Sequence, residues 1–419
     1  MTRADTRSAW WIVFLLWLFM LINFADKAIL GLAAVPIMRE LGLTPSEFGL
    51  LGSSFFFLFA LSAVGSGFLV NRVGPRWPIL IMALLWTIAQ LPMIVPVGFA
   101  AVMGCRILLG AAEGPAYPTA LHAAYNRFAD ARRAVPTLVL ALGAIAGLLA
   151  APALTYLIVY ASWHVAFAVL GLSSFLWAGA WLVFGEDAAA PERIPFYAER
   201  QIAKIPYSRL LLAPTTLATV ICGYVAYSGL SLLLVWFTPY LSQALGYSTA
   251  TAGWLSALPP AGMGIVMTIS ALLSERAVLG GMPTRRARGI VTAVGVILGG
   301  IAICLIPVCS SSALKVAMMV LGVALPSSIY VFAHPIVSEF TPPEQRAAVL
   351  SINNAAITLA GIAAPYTMGR FIEGGASVQA GYEHGFLICG IATLIGGLIG
   401  AYFLRPQTEL VRLGREAAR

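Results

Sequence analysis

Charged residues are scarce in this chain of 419 residues. Only 10% of the residues are Asp, Glu, Lys or Arg, whereas 60% are hydrophobic. A soluble domain needs far more polar surface to cover its core, so this composition excludes a large soluble domain. The apolar residues stand in long, almost uncharged blocks, such as residues 8–25 and 290–308. Blocks of about 18 or more apolar residues predict membrane-spanning helices.

The sequence also lacks the motifs that mark membrane enzymes. It contains no HExxH, no GxSxG and no phosphate-binding glycine loop, and its polar segments are too short for a catalytic domain. Its five cysteines lie in apolar blocks without metal-ligand spacing, which is typical of small buried residues. We therefore expect no enzyme, no metal site and no cofactor.

The apolar blocks predict an all-α membrane protein with twelve transmembrane helices. The first block follows two arginines, as in a signal peptide. It is too long for one and has no small-residue cleavage pattern, so we expect it to be retained as a helix. The predicted ranges are 11–38, 49–70, 78–97, 100–122, 136–160, 163–184, 212–241, 249–273, 289–309, 314–340, 346–368 and 383–404.

The basic residues predict the orientation in the membrane. Of the 25 Lys and Arg residues, 20 fall on the same side as the N-terminus when the predicted helices are threaded through a bilayer. Only Arg39, Lys315 and Arg370 fall on the other side, while Lys27 and Arg106 lie inside helices. The positive-inside rule then predicts that both termini are cytoplasmic. The membrane that we expect is the inner membrane of a bacterium. The net charge of +8 thus reflects topology, and we expect no nucleic-acid partner.

Two halves of the chain repeat one another. Leu41-Gly42-Leu43-Thr44 follows the first predicted helix, and Leu245-Gly246-Tyr247-Ser248 follows the seventh. A polar segment with several prolines separates the halves and is typical of a linker. We predict a six-helix bundle at 1–184, a cytoplasmic linker at 185–211 and a second six-helix bundle at 212–419.

The loop after the second predicted helix resembles a motif of the major facilitator superfamily. Gly67, Asn71, Arg72, Gly74 and Arg76 match G-x-x-x-D-R-x-G-x-R, except that Asn71 replaces the usual Asp. The resemblance implies the two-bundle major facilitator fold, with a substrate site between the bundles and transport by alternating access. In the family, that Asp holds the two halves together in the outward-open state by an ionic contact. Asn71 has no charge, so the resemblance implies that this contact is weaker here.

A narrower resemblance, to the anion:cation symporter family, covers nearly the whole chain. This family includes bacterial galactonate, hexuronate and phthalate-type permeases and sialin. Asn23-Phe24-Ala25-Asp26-Lys27 is similar to its N-Y-x-D-R segment, and the residues from Arg106 to Pro115 are similar to its R-x-x-x-G-x-x-E-x-P segment. The resemblance implies an organic-anion transporter in which Asp26 and Glu113 bind the coupling proton. It also implies that Arg106 is their partner and that Lys27, in place of Arg, binds the carboxylate.

These four residues also stand out as charges inside predicted helices. Each costs about 2.5–3.5 kcal/mol at a helix centre, so such charges usually form pairs or line a water-filled path. Arg106 and Glu113 share one helix face with Gly110 between them, whereas Asp26 and Lys27 point about 100° apart and must address different neighbours. The alternative is a static network that only joins the first and fourth helices.

Residue types at positions where sugar-acid permeases of the family carry hydrogen-bonding groups predict the kind of anion. Phe24 and Phe59 occupy positions where Tyr is usual in the family, and a polyhydroxylated substrate needs hydrogen-bond partners. Lys is also a point charge rather than a planar fork. We therefore predict an aromatic or otherwise apolar monocarboxylate rather than a sugar acid. Further candidate substrate contacts, each of which could instead be a packing residue, are Asn23, Tyr117, Tyr227, His334, Asn353 and Asn354.

The predicted function is proton-coupled symport of this carboxylate by alternating access, with the proton as coupling ion. An anion and a proton that cross together carry less net charge through the bilayer than either alone. The rival is a drug or metabolite exporter that works by proton antiport, although Lys27 and Arg106 favour anions. Sodium-coupled or facilitated transport stays open, whereas a channel would not need the repeat. We expect a monomer in the lipid bilayer.

Overall fold

In a computed structural model, residues 3–65, 74–128, 134–186 and 205–417 are described, and within these ranges every regular element is a helix. Twelve helices are long and apolar enough to cross a membrane, which confirms the predicted all-α membrane fold. In chain order they are α1 Ser8–Leu32, α2 Pro45–Gly65, α3 Arg76–Ile94, α4 Phe99–Tyr125, α5 Val135–Tyr160, α6 Trp163–Phe184, α7 Pro214–Phe237, α8 Thr249–Leu279, α9 Arg285–Val308, α10 Ser312–Ser338, α11 Ala348–Glu373 and α12 Val378–Phe403.

Several helix ends differ from the predicted ranges. The first helix was predicted to run to residue 38, but α1 ends at Leu32 and a separate helix, Ala34–Leu41, follows. Pro36 explains the break, because a proline ring clashes with the carbonyl four residues earlier, which belongs to Leu32. In the second half of the chain, α8 and α9 are longer than predicted and include flanking arginines such as Arg276.

Lys315 has a partner that the sequence did not predict. We predicted it at the start of the tenth helix, on the side opposite the N-terminus. It lies in the first turn of α10, is 6% exposed and forms an ion pair with Glu383 of α12. Gln379, one turn earlier in α12, donates a hydrogen bond to the same Glu383 carboxylate at 2.8 Å. A charge can enter an apolar helix when a nearby opposite charge and hydrogen bonds compensate its loss of water.

The repeated loop segments have the same local structure. Gly42 and Gly246 have φ angles of 64° and 74°, in the left-handed region that favours glycine. Thr44 and Ser248 each accept a hydrogen bond from the backbone N–H three residues further on, at 3.3 and 3.2 Å. Each therefore caps the helix that follows it. The sequence repeat specifies a turn and a cap at the same place in both halves.

The chain forms two compact units. Unit 1 contains the described residues of 1–196 together with Leu234–Ser242 and Gly246–Ala257, and unit 2 contains the described residues of 197–233, Gln243–Leu245 and those from Leu258 onward. Unit 1 thus holds α1 to α6, and unit 2 holds α9 to α12. Of the predicted linker, residues 187–204 lie outside the described part of the chain.

Stacked aromatic rings join three helices inside unit 1. Phe19 of α1 stacks on Trp86 of α3 with ring centroids 4.4 Å apart, and it contacts Trp177 of α6 at 4.8 Å. All three side chains are buried. The indole N–H of Trp177 also donates to the main-chain oxygen of Leu15 at 2.8 Å. These contacts fix α1 between α3 and α6, and α1 carries the charged residues described next.

Candidate functional site

Four charged residues come together in the interior of unit 1. Nζ of Lys27 in α1 lies 3.0 Å from Oε2 of Glu113 in α4. Two turns earlier in α4, the guanidinium of Arg106 donates from Nη1 to the main-chain oxygen of Asp26 at 3.4 Å. All four side chains are at most 7% exposed. The site therefore contains two acids and two bases that are screened from water.

Asp26 faces α3 rather than α4, so the adjacent residues Asp26 and Lys27 do address different neighbours. Nε2 of Gln90 in α3 donates to Oδ1 of Asp26 at 2.5 Å. Gln90 is 1% exposed. The sequence prediction did not include Gln90, and the available signal was a lone amide in an otherwise apolar helix, where a polar group needs a buried partner.

Three phenylalanine rings surround the Lys27 ammonium. Nζ lies 4.2 Å from the ring centre of Phe24, 5.5 Å from that of Phe59 and 6.0 Å from that of Phe55. The guanidinium carbon of Arg106 lies 4.8 Å from the Phe55 ring, so both cations share this ring. Cation–π contacts gain strength where water is excluded, and these rings partly replace the water that the cations lost. The polar side chain of Asn23 also contacts Lys27 and accepts a hydrogen bond from it at 2.5 Å.

Glycines in α4 let α2 approach closely enough to bring these rings to the cations. A Cβ atom on Gly110 would lie 1.7 Å from the main-chain oxygen of Phe55, and one on Gly114 would lie 2.2 Å from that of Phe59. Regular α-helix is interrupted in both helices at this level, at residues 55–58 of α2 and at Gly114-Pro115 of α4. Small residues that allow such backbone contact are typical of helix packing in membranes.

Several buried polar atoms of the site have no hydrogen-bond partner among the described residues. They are Nδ2 of Asn23, Oδ2 of Asp26, Oε1 of Gln90, Nε of Arg106 and both carboxylate oxygens of Glu113, of which Oε2 forms the ion pair with Lys27. An unsatisfied buried polar group costs about 1–3 kcal/mol, so most proteins avoid a group of them. The carboxylate oxygens are able to accept a proton, and the N–H groups to donate to a ligand, without first breaking a hydrogen bond. In the part of the chain that is described, no group of three or more His, Cys, Asp or Glu side chains could hold a metal ion.

The remaining predicted substrate contacts do not belong to this cluster of charges and rings. Tyr117 lies in α4 with 37% of its side chain exposed. The other four are in unit 2. Tyr227 packs edge-on against Tyr330, and His334 and Asn354 are exposed. The side chain of Asn353 is 2% exposed, and neither of its amide atoms has a hydrogen-bond partner among the described residues.

Only the end of the predicted loop motif falls in the described part of the chain. Gly67, Asn71 and Arg72 lie outside the described residues. Gly74 has a φ angle of 75°, which favours glycine. Arg76 donates from its guanidinium to the main-chain oxygen of Leu182 at 3.1 Å and accepts a hydrogen bond from the Trp181 indole on its own main-chain oxygen at 3.0 Å. The motif therefore ends on a contact between the start of α3 and the end of α6.

Known proteins similar to this chain are membrane transporters. The profile of the Major Facilitator Superfamily matches residues 16–365 and, in a second alignment, 239–418. The probable anion transporter 4, chloroplastic, of Arabidopsis thaliana is 25% identical over 378 residues, or 83% of this chain and 69% of the relative. The probable sulfoacetate transporter of Cupriavidus necator is 27% identical over 293 residues, or 65% of this chain and 66% of the relative. The chain thus spans about two thirds of the length of these relatives.

Solved structures show the same fold. A bacterial homologue of the human lysosomal transporter Spinster, described as inward-facing and unoccupied, superimposes with a TM-score of 0.75. The alignment covers 97% of this chain and 98% of the homologue at 17% identity. At that identity the likeness supports the predicted two-bundle fold and does not indicate which ligand this chain binds.

Proposed function

The chain belongs to the major facilitator superfamily, and from that membership we propose that it is a proton-coupled symporter of an organic anion. It is a multi-pass membrane transporter and not an enzyme. The relatives named above are described as transporters of anions, one of them of sulfoacetate. The proposal extends this class of ligand to the present chain, and the buried charges around Lys27 support it.

The ion pair between Lys27 and Glu113 is the observation that carries the proposal. Its atoms lie 3.0 Å apart, and both side chains are buried. An anion that binds Lys27 must compete with the Glu113 carboxylate for the same ammonium. If Glu113 stayed ionised, it would be a buried charge without its partner, which costs about 3–5 kcal/mol. Protonation of Glu113 removes that cost, so the proton and the anion favour each other's binding.

Net charge gives a second reason for coupling. An anion alone would carry a full negative charge through the low-dielectric centre of the bilayer, and each elementary charge is worth about 2.3 kcal/mol per 100 mV of membrane potential. A proton that travels with a monocarboxylate removes that charge. Asp26 is the second buried acid beside this pair, and Arg106 of α4 donates a hydrogen bond to its main-chain oxygen.

The surroundings of Lys27 favour an aromatic or otherwise apolar monocarboxylate over a sugar acid. The rings of Phe24, Phe55 and Phe59 lie 4.2–6.0 Å from its Nζ. These rings offer contact area to an apolar body and no partner to hydroxyl groups. A hydroxyl that loses water without gaining a partner costs binding energy, which penalises polyhydroxylated acids.

The proposal includes the setting of the protein. We propose a bacterial inner membrane, cytoplasmic termini and a monomeric carrier that needs the lipid bilayer and a proton but no cofactor and no nucleic acid. The excess of Lys and Arg on one side of the predicted helices supports this orientation.

Transport by the purified protein in proteoliposomes tests the proposal. Radiolabelled benzoate and glucuronate serve as probes, with an inward proton gradient and the membrane potential clamped. We expect the gradient to drive accumulation of benzoate more than of glucuronate. Glu113→Gln should abolish gradient-driven accumulation and keep benzoate counterflow, in which no net proton moves. Proton-driven uptake that survives in Glu113→Gln would refute the coupling. Binding of neither carboxylate, together with proton-driven export of an organic cation such as ethidium, would support the antiport exporter instead.

A further inference from the structure

The contact between Gln90 and Asp26 is incomplete in a specific way. Nε2 of Gln90 donates to Oδ1 of Asp26 at 2.5 Å. The other two atoms of these planar groups, Oε1 of Gln90 and Oδ2 of Asp26, are buried and have no hydrogen-bond partner among the described residues. Both are acceptors when Asp26 is ionised, so neither can satisfy the other.

One proton on Asp26 would complete the contact. An amide presents an N–H donor and a C=O acceptor, and a carboxylic acid presents the matching C=O acceptor and O–H donor. When a proton from water binds Oδ2, the new O–H can donate to Oε1 of Gln90, while the existing N–H bond to Oδ1 stays. The carboxyl group changes from a charge of −1 to neutral, and the two groups are then joined by two parallel hydrogen bonds.

We propose that Gln90 is the positioning residue of the proton site, because its amide binds Asp26 in both protonation states. This inference rests on the proposed function, in which Asp26 takes up and releases a proton. The amide keeps the carboxyl in one orientation throughout the cycle, with one hydrogen bond to the ionised form and two to the acid. Asp26 can then exchange its proton without a change of rotamer in the interior of unit 1.

The surroundings of Gln90 suit this role because they are rigid. Gly171 of α6 lies so close that an added Cβ would be 3.2 Å from the Gln90 Cβ. Thr87, one turn earlier in α3, donates to the main-chain oxygen of Ala83 at 3.1 Å and to that of Gly171 at 3.4 Å. The backbone of α3 is thus fixed against α6 at the level of Gln90.

The charges that act on Asp26 come from other residues. They are Glu113 and Arg106 on α4 and Lys27 on its own helix, while Gln90 acts through a hydrogen bond. These charges change partners when an anion or a proton binds in the proposed cycle. Gln90 is neutral throughout this cycle. Its effect on Asp26 is therefore a hydrogen bond to the carboxyl group, and that hydrogen bond can be measured.

Infrared difference spectroscopy of the protein in liposomes tests the inference without any substrate. A step to acid pH should produce the C=O stretching band of protonated Asp26, which is assigned by its absence in Asp26→Asn. In Gln90→Leu we expect this band at a higher frequency, because the acid has lost both hydrogen bonds. Gln90→Met, which keeps the length of the side chain, should give the same shift and serves if the leucine variant does not fold. Ser174→Ala, at a buried position of α6 one turn after Gly171, should leave the band in place.

The outcomes separate this inference from the proposed function. A protonated Asp26 band that is present in the native chain and has the same frequency in both Gln90 variants would overturn the role of Gln90 alone. If Asp26→Asn removes no band, then Asp26 does not titrate, and both the role of Gln90 and the proton-binding role of Asp26 are wrong. A shift in Ser174→Ala as large as that in the Gln90 variants would reduce the effect to general packing and also overturn the inference.

Discussion

Lys27 and Glu113 form a buried ion pair, with Nζ and Oε2 3.0 Å apart between α1 and α4. Breaking such a pair is expensive, whereas replacing both partners by neutral groups of similar shape is often close to neutral for stability. The pair therefore has two separable consequences. In the proposed function its charges select the anion, and the balance of these charges contributes to the stability of unit 1.

A double-mutant cycle separates these consequences. We expect Lys27→Met and Glu113→Gln each to lower the free energy of unfolding by about 3–5 kcal/mol, because each leaves one buried charge unpaired. The double variant should recover most of that loss and still fail to accumulate benzoate. Thermal unfolding in detergent and uptake in proteoliposomes measure the two effects on the same preparations.

The Lys315–Glu383 pair is the control for this cycle, because it joins α10 to α12 in unit 2 with side chains that are 7% and 15% exposed. Lys315→Met together with Glu383→Gln should keep benzoate accumulation near the native level. Uptake lost equally in both double variants would show that any buried pair matters only for folding. It would remove the argument that Lys27 binds the anion.

The rings around Lys27 predict that one hydroxyl added to a ring changes the substrate preference. Phe59→Tyr places an O–H on the ring whose centre is 5.5 Å from Nζ of Lys27. We expect the ratio of glucuronate binding to benzoate binding to rise by roughly tenfold, since one hydrogen bond to a buried substrate hydroxyl is worth about 1 kcal/mol or more. Competition binding with radiolabelled benzoate measures that ratio.

Phe57→Tyr provides the comparison, because Phe57 lies two residues away in α2 and is 40% exposed. It adds the same hydroxyl, and we expect the ratio to stay unchanged. An equal rise in both variants would mean that the effect does not arise at Lys27. An unchanged ratio in Phe59→Tyr would remove Phe59 from the binding site.

The sequence predicted the fold because its strongest signals are physical constraints of the bilayer. Long apolar blocks leave few alternatives to membrane helices, and the repeated segments around Gly42 and Gly246 indicated that the two halves of the chain repeat one another. Buried charges were visible for the same reason, as exceptions in apolar segments. The predicted end of the first helix was wrong because Pro36 outweighed a continuous apolar pattern.

What the sequence did not predict were partners that depend on helix packing. Gln90 is neutral, so it did not stand out, and its contact with Asp26 spans 64 positions. Lys315 stands near a predicted helix end, where a basic residue usually faces water, and its partner Glu383 lies two helices later. Asparagine in a membrane helix often just joins two helices, so the sequence did not show that the amide of Asn353 is buried without a hydrogen-bond partner among the described residues.

The contact between α4 and α2 predicts a large difference between two glycines of the same helix. A Cβ on Gly110 would lie 1.7 Å from the main-chain oxygen of Phe55, whereas one on Gly104 meets nothing within 4 Å. We expect Gly110→Ala to destabilise the bundle by several kcal/mol or to prevent folding, because backbone atoms must move. Gly104→Ala should be neutral or slightly stabilising, since alanine favours helix. The melting temperatures of the two variants in detergent measure this difference in stability. Equal values would contradict the close packing of α4 against α2.

The last prediction concerns pH and a carboxyl just beyond the end of α10. Burial raises the pKa of Glu339, although Thr284 donates a hydrogen bond to it and Arg288 attracts it. A raised pKa means that the folded chain holds this proton more tightly than the unfolded chain. The contribution to stability is therefore complete below the ordinary glutamate range and is lost as pH rises through the raised value.

Glu339→Gln keeps the shape of the protonated side chain and cannot ionise. We expect its melting temperature to equal that of the native chain at acid pH and to exceed it above the raised pKa, where only the native chain must hold a buried carboxylate. Glu275→Gln, at an exposed position near the end of α8, serves as control and should give no such pH-dependent difference. A native chain that is more stable than Glu339→Gln at neutral pH would mean that Arg288 and Thr284 outweigh burial at this site, which is the opposite of the balance inferred here.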